Sequence, residues 1–81
     1  MSELSRLRWR CRRGIKEMDI VLQKFLERSY PNLSSQQQAN FDHILDESDL
    51  DIMDWILGRS SPEHSDYDEL ISLFRQHKPE Q

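Results

Sequence analysis

The sequence predicts an all-α protein, a compact bundle of five short helices that forms a single domain over residues 1–81. Three observations lead to this fold class. Apolar residues recur at helical spacing along most of the chain, and no segment alternates apolar and polar residues between hairpin turns, as half-buried strands would. The two glycines and three prolines fall at the ends of the periodic segments, where helices stop or begin.

The first two helices are separated by a glycine. The first is predicted over about residues 3–12, with Leu4, Leu7 and Cys11 on one stripe and Gly14 in the left-handed position that ends many helices. The second carries the longest apolar stripe, formed by Ile15, Met18, Leu22, Phe25 and Leu26. It is expected to end before Pro31, because proline disfavours helical backbone at the preceding residue.

The third and fourth helices are marked by serine caps. Ser34 followed by Gln37 has the spacing of a capping box, in which each residue satisfies the other's backbone amide. Ser48 is predicted to cap the fourth helix, over about residues 49–57, and Gly58 to end it. Apolar residues lie nearly all round this fourth helix, so it is expected to be the most enclosed element.

The fifth helix is predicted to open with Ser61 as N-cap and Pro62 as its first residue, and to end before Pro79. The residues of this helix expected to face inward are Tyr67, Leu70, Ile71 and Phe74. The predicted core consists of Leu22, Phe25, Phe41, Ile44, Leu45, Met53, Ile56, Leu70, Ile71 and Phe74.

Charge is sorted along the chain. The formal net charge is −4, yet residues 1–13 hold five arginines against one glutamate, whereas residues 29–81 hold three basic and eleven acidic residues. On a helical wheel, Arg6, Trp9, Arg10 and Arg13 fall opposite the apolar stripe of the first helix. Two interpretations stay open. Trp9 packs over a neighbouring helix beside a solvated arginine face, or the face binds a partner, since Trp and Arg are enriched at interaction hot spots. The second interpretation predicts that Trp9 and at least two of these three arginines are exposed on one patch.

The acids that follow Gly14 have a local interpretation too. If Gly14 is the N-cap of the second helix, Glu17 is its third residue and can reach back to the cap amide. Asp19 flanks the apolar stripe, where a carboxylate needs a partner such as Arg12 or Arg13.

Arg13, Gly14 and Glu17 spell the motif RGxxE, in an acidic five-helix chain. The accompanying residues are Trp9, Cys11, Arg12, Asp19, Phe25 and Trp55. Together they resemble the succinate dehydrogenase assembly factor 2 family, whose bacterial members are called SdhE or YgfY and whose mitochondrial members are called Sdh5. The similarity covers nearly the whole chain.

The resemblance implies an assembly chaperone that binds the flavoprotein subunit of succinate dehydrogenase or fumarate reductase and promotes covalent attachment of FAD (flavinylation). FAD would be the client's cofactor, and the chain would have no cofactor of its own. It would be a cytoplasmic monomer and no enzyme.

The predicted contact surface combines the motif with the first helix. By resemblance, Arg13, Gly14 and Glu17 form its centre and Asp19 belongs to the same region, while Arg6, Arg8 and Trp9 are added from their place on the helix. The turn at Gly14 is expected to bring Trp9, Arg13 and Glu17 onto one patch.

Other function classes find less support in the residues. An antitoxin-like or nucleic-acid-binding regulator could use the arginine-rich first helix, but the net charge of −4 opposes attraction to phosphates, so no nucleic-acid partner is expected. A small enzyme would need a convergent acid, base and nucleophile, which the sequence does not suggest. The single cysteine and three scattered histidines suggest no disulfide or metal site. No apolar run has the roughly 20 residues of a membrane span, so no membrane insertion is expected.

Overall fold

Five α-helices make up the fold of residues 2–77, the part of the chain that the computed structural model describes. They are α1 (Glu3–Arg10), α2 (Lys16–Arg28), α3 (Ser35–Ile44), α4 (Asp49–Leu57) and α5 (Asp68–Gln76). Short 3₁₀ turns at Tyr30–Asn32 and Ser65–Tyr67 precede α3 and α5. The described residues contain no strand, which confirms the all-α prediction. None of the helices in this range is long and apolar enough to cross a membrane.

The start of α3 follows the predicted cap, but only in part. The Ser34 hydroxyl accepts a hydrogen bond from the Gln37 amide at 3.2 Å. The Gln37 side chain does not return the bond to Ser34; its Nε2 donates to Glu69 at 2.7 Å. The cap residue therefore fixes the helix start, while Gln37 joins α3 to α5.

Helix α4 has the predicted bounds but not the predicted surroundings. Ser48 accepts a hydrogen bond from the Asp51 amide at 3.1 Å, and Gly58 ends the helix with a φ of +78°. However, Leu50 is 70% exposed and Leu57 is 44% exposed. The prediction that α4 is the most enclosed element is wrong, because the neighbouring helices cover only one side of it.

Helix α5 begins later than predicted. The Ser61–Pro62 pair does not open it, and the helix starts at Asp68 after the 3₁₀ turn. Residues 59–64 contain no large apolar side chain that could hold a helical turn against the core, and Tyr67 is the first to pack there. The predicted end at Pro79 lies outside the described residues.

The core is built around three phenylalanines. The ring of Phe25 lies 4.7 Å from the ring of Phe41 and 4.7 Å from that of Phe74, centroid to centroid. All ten predicted core residues are buried except Met53, which is partly buried against the others. The core also contains Leu7, Cys11, Met18, Val21, Leu26, Ile52 and Trp55. This packing holds α1 and the start of α2 in place.

Candidate functional site

The RGxxE motif lies on the turn between α1 and α2. Gly14 is exposed and has a φ of +86°, in the left-handed region that side chains rarely adopt. A β-carbon built on Gly14 would meet no other atom within 4 Å. The backbone angle therefore favours glycine, and the space beside it is open to a partner.

Asp19 fixes the shape of this turn. Its Oδ1 accepts a hydrogen bond from the Arg13 amide at 2.8 Å, and its Oδ2 accepts one from the Gly14 amide at 3.1 Å. The predicted role of Glu17, reaching back to the cap amide, is wrong, because Ile15 and not Gly14 is the N-cap of α2. Glu17 is exposed, and its side chain forms no hydrogen bond or ion pair within residues 2–77.

Arg13 points inward rather than toward a partner. Its Nη1 donates to the Leu45 carbonyl at 2.7 Å and its Nη2 to the Glu47 carbonyl at 2.8 Å, while Nε donates to Asp49 Oδ1 at 2.7 Å. Only 17% of the Arg13 side chain is exposed. A cation at the carbonyl end of α3 is favourable because the helix dipole is negative there. The expected patch of Trp9, Arg13 and Glu17 therefore does not include the Arg13 guanidinium.

Two arginines of α1 face acidic residues of α3 and of the turn that follows it. Arg6 bonds Glu3 at 2.6 Å and Asp42 at 3.2 Å, and Arg10 forms ion pairs with Asp42 and Asp46. The prediction that two of Arg6, Arg10 and Arg13 share an exposed patch with Trp9 is therefore wrong. A helical wheel separates polar from apolar faces, but it does not show that part of the polar face meets carboxylates of another helix.

Trp9 itself is exposed, as one interpretation of the sequence predicted, with 65% of its surface open to solvent. The arginines that line a cleft with Trp9 are Arg8 and Arg12, not the predicted Arg6, Arg10 and Arg13. The guanidinium carbon of Arg12 lies 5.5 Å from the centroid of the Trp9 ring, within the range of a cation–π contact. A shallow cleft of about 200 Å³ is lined by Ser5, Arg8, Trp9 and Arg12. We refer to these four residues as the Trp9 cleft.

Arg12 is not among the predicted contact residues, although it lines the cleft. The available signal was its spacing, because Arg8 and Arg12 stand four residues apart in the predicted first helix. The exposed residues in this part of the chain therefore include Arg8, Trp9 and Arg12 of the Trp9 cleft, together with Gly14 and Glu17.

No group of three metal-ligating side chains occurs among residues 2–77. Cys11 is fully buried, and burial raises the pKa of its thiol to about 12, so the reactive thiolate is scarce at neutral pH.

The model of the Sdh5 family, described as flavinator of succinate dehydrogenase, matches residues 5–78. The chain is 37% identical over 71 residues to the FAD assembly factor SdhE of Coxiella burnetii, covering 88% of this chain and 87% of that protein. It is 40% identical over 73 residues to the protein of that name from Legionella pneumophila, covering 90% and 91% of the two. The Pseudomonas aeruginosa protein of that name is 36% identical over 72 residues, covering 89% and 86%.

Proposed function

This chain belongs to the Sdh5 family of flavinators of succinate dehydrogenase, and we propose that it is an assembly chaperone that binds a flavoprotein subunit and promotes covalent attachment of FAD to it. The proposed client is the flavoprotein subunit of succinate dehydrogenase or fumarate reductase. The proposed form is a monomer in the cytoplasm.

Gly14 is the observation that supports this proposal most directly. It stands at the centre of the RGxxE motif, it is exposed, and beyond its chain neighbours no atom of residues 2–77 occupies the space that a side chain would take. Glycine allows another backbone to approach closely. We assign to Gly14 the closest approach of the flavoprotein, with Glu17 offering its unpaired carboxylate at the next turn.

The seven predicted contact residues take two roles in this proposal. Arg8, Trp9, Gly14 and Glu17 contact the client, with Arg6 at the edge of the surface. Arg13 and Asp19 are positioning residues, because their hydrogen bonds hold the turn that presents Gly14.

The proposed mechanism is orientation of the client rather than chemistry by this chain. Binding would favour the client conformation in which its acceptor histidine and its flavin lie close enough to react. FAD supplies the electrophilic ring when it is bound to the client. A surface contact is sufficient for this role, because a binding partner shifts a conformational equilibrium by its preference for one state.

The two glycines provide a matched test. Gly14 and Gly58 both have positive φ and open space around them, so Gly14→Arg and Gly58→Arg should lose similar stability. The flavoprotein subunit is expressed in cells that lack this chain, each variant is restored, and covalent flavin is read by fluorescence in a denaturing gel. We expect Gly58→Arg to support flavinylation and Gly14→Arg to abolish it.

Glu17→Ala is the companion variant in the same assay. We expect a marked loss of covalent flavin from a folded protein, because the exposed Glu17 carboxylate forms no hydrogen bond or ion pair within residues 2–77 whose loss would unfold the chain. Circular dichroism establishes that each variant is folded. Wild-type flavinylation by folded Gly14→Arg and Glu17→Ala proteins would contradict the proposal.

A further inference from the structure

The Trp9 cleft carries an inference about the chemistry of the partner, and this inference rests on the proposed function. The inference starts from the five arginines in residues 1–13, which differ in whether they form ion pairs. Arg6, Arg10 and Arg13 are paired with carboxylates of this chain. Arg8 and Arg12 form no ion pair within residues 2–77, although the chain is rich in acids.

The two unpaired arginines lie together. Arg8 and Arg12 line the same cleft, four residues apart in sequence, and the Trp9 ring forms another wall. Arg12 lies beyond the end of α1, but both arginines line one cleft, so their like charges repel one another weakly in the free protein. An anion between them would remove that repulsion, so the cleft has a physical preference for a negatively charged occupant.

The size and the walls of the cleft narrow the choice of anion. The cleft, about 200 Å³ in volume, has room for one short side chain. A guanidinium presents a planar fork of donors that matches a carboxylate, and the exposed indole ring offers contact area to methylene groups. Aspartate and glutamate side chains have both a carboxylate for the guanidinium groups and a methylene stem for the indole ring.

We infer that the Trp9 cleft binds an aspartate or glutamate side chain on the surface of the flavoprotein client, with Arg8 and Arg12 donating to the carboxylate and Trp9 packing on its stem. A nucleic acid is the less favoured occupant, because only two arginines are free here and the net charge of −4 repels a polyanion. Within the contact surface, this cleft would supply charge recognition, and Gly14 would supply close approach.

The test is a double charge reversal with a matched control. Arg8→Glu/Arg12→Glu changes the net charge by four units, and so does Lys24→Glu/Arg28→Glu, whose residues are also four apart, lie on α2 and form no ion pair within residues 2–77. Calorimetric titration into the purified flavoprotein subunit measures affinity, and circular dichroism verifies folding. We expect at least a tenfold loss for the first pair and less than a threefold loss for the control.

Neutral substitution separates specific binding from general repulsion. Arg8→Gln/Arg12→Gln should also weaken binding and should make the affinity less dependent on salt, because two ionic contacts are removed. Equal losses in the reversal and control pairs, or undiminished affinity in Arg8→Glu/Arg12→Glu, would overturn the inference. Undiminished affinity would leave the proposed function standing, whereas a wild-type chain that fails to bind any flavoprotein subunit would overturn both.

Two other occupants are distinguished in the same experiments. Sedimentation of the wild-type chain alone would detect a dimer, and a dimer dispersed by Arg8→Glu/Arg12→Glu would reassign the cleft to a second copy. Titration with single-stranded RNA would detect a nucleic-acid site. RNA binding lost in that variant, with flavoprotein affinity unchanged, would overturn the inference in favour of RNA.

Discussion

The Arg13 guanidinium joins the motif turn to the end of α3, with its Nη1 2.7 Å from the carbonyl oxygen of Leu45. The same side chain reaches Glu47 and Asp49 at the start of α4. Three elements of the fold therefore meet at one side chain, and the consequences for stability can be measured.

Replacement of Arg13 by alanine is expected to destabilise the protein rather than only weaken partner binding. The change removes charge-assisted hydrogen bonds and leaves two carbonyl groups without their donor, which should lower the free energy of unfolding by about 2–3 kcal/mol. Urea denaturation measures the loss. The control is Arg12→Ala, whose exposed side chain should change stability by less than about 0.5 kcal/mol. Equal stabilities of the two variants would contradict the structural role of Arg13.

Asp19 and Glu17 form a second contrasting pair. Asp19→Ala removes both acceptors of the turn amides and should cost about 1–2 kcal/mol, the range of a lost helix cap. Glu17→Ala should cost less than about 0.5 kcal/mol, since that carboxylate is exposed. Thermal unfolding of both variants at the same pH provides the comparison. The reverse order would mean that Glu17, not Asp19, stabilises the turn.

The two tryptophans should separate binding from stability. Trp9 is 65% exposed, so Trp9→Ala should leave stability nearly unchanged and weaken client binding by about 2 kcal/mol, as hot-spot residues do. Trp55 is 7% exposed, and Trp55→Ala should lower the free energy of unfolding by about 3–5 kcal/mol. Titration and urea denaturation of both variants test this. A large loss of stability in Trp9→Ala would contradict this prediction and show that Trp9 stabilises the fold by packing.

Cys11 should make the protein less stable at alkaline pH. Its pKa is about 12 in the folded state because of burial, so the thiol stays protonated there while the unfolded thiol ionises above its ordinary pKa of about 8.5. The contribution of the buried thiol to the free energy of unfolding is therefore complete at pH 8, and it is lost as the pH rises toward 12. The slope for one such group is about 1.4 kcal/mol per pH unit.

The measurement is the free energy of unfolding at pH 8 and pH 10 for the wild type and for Cys11→Ala. The wild type should lose about 1–2 kcal/mol more than the variant between these values. Tyr30 and Tyr67, whose pKa values burial also raises, are present in both proteins and cancel in the comparison. Identical pH dependence in the two proteins would contradict the burial of the thiol.

The fold could be predicted where the controlling signal is local. Ser48 and Gly58 define α4 through a cap hydrogen bond and a left-handed residue, and both effects act within a few residues of sequence. The Ser61–Pro62 pair carries an equally good local signal for α5. The predicted start of α5 at this pair is wrong, because a helix start also needs apolar contacts with the core, which residues 59–64 do not provide.

The site was predicted less completely for the same reason. The motif residues and the exposed Trp9 could be identified from the sequence, but the directions of the arginines could not. Arg13 meets Asp49 and Arg10 meets Asp46, each pair 36 residues apart in sequence. Which arginines are paired with acids is therefore decided by how α1 packs on α3 and α4, and no spacing within α1 contains that information.

The long reach of Arg13 limits what a fragment of this protein can do. A synthetic peptide of residues 3–28 would contain every letter of the motif, but it would lack the Leu45 and Glu47 carbonyl groups that hold Arg13. Such a peptide should be a poor competitor of the intact chain. A nascent chain that has not yet reached α4 would likewise lack the partners of Arg13. If the proposed function is right, we expect only the completed fold to bind the flavoprotein tightly, so half-made copies would not compete for it.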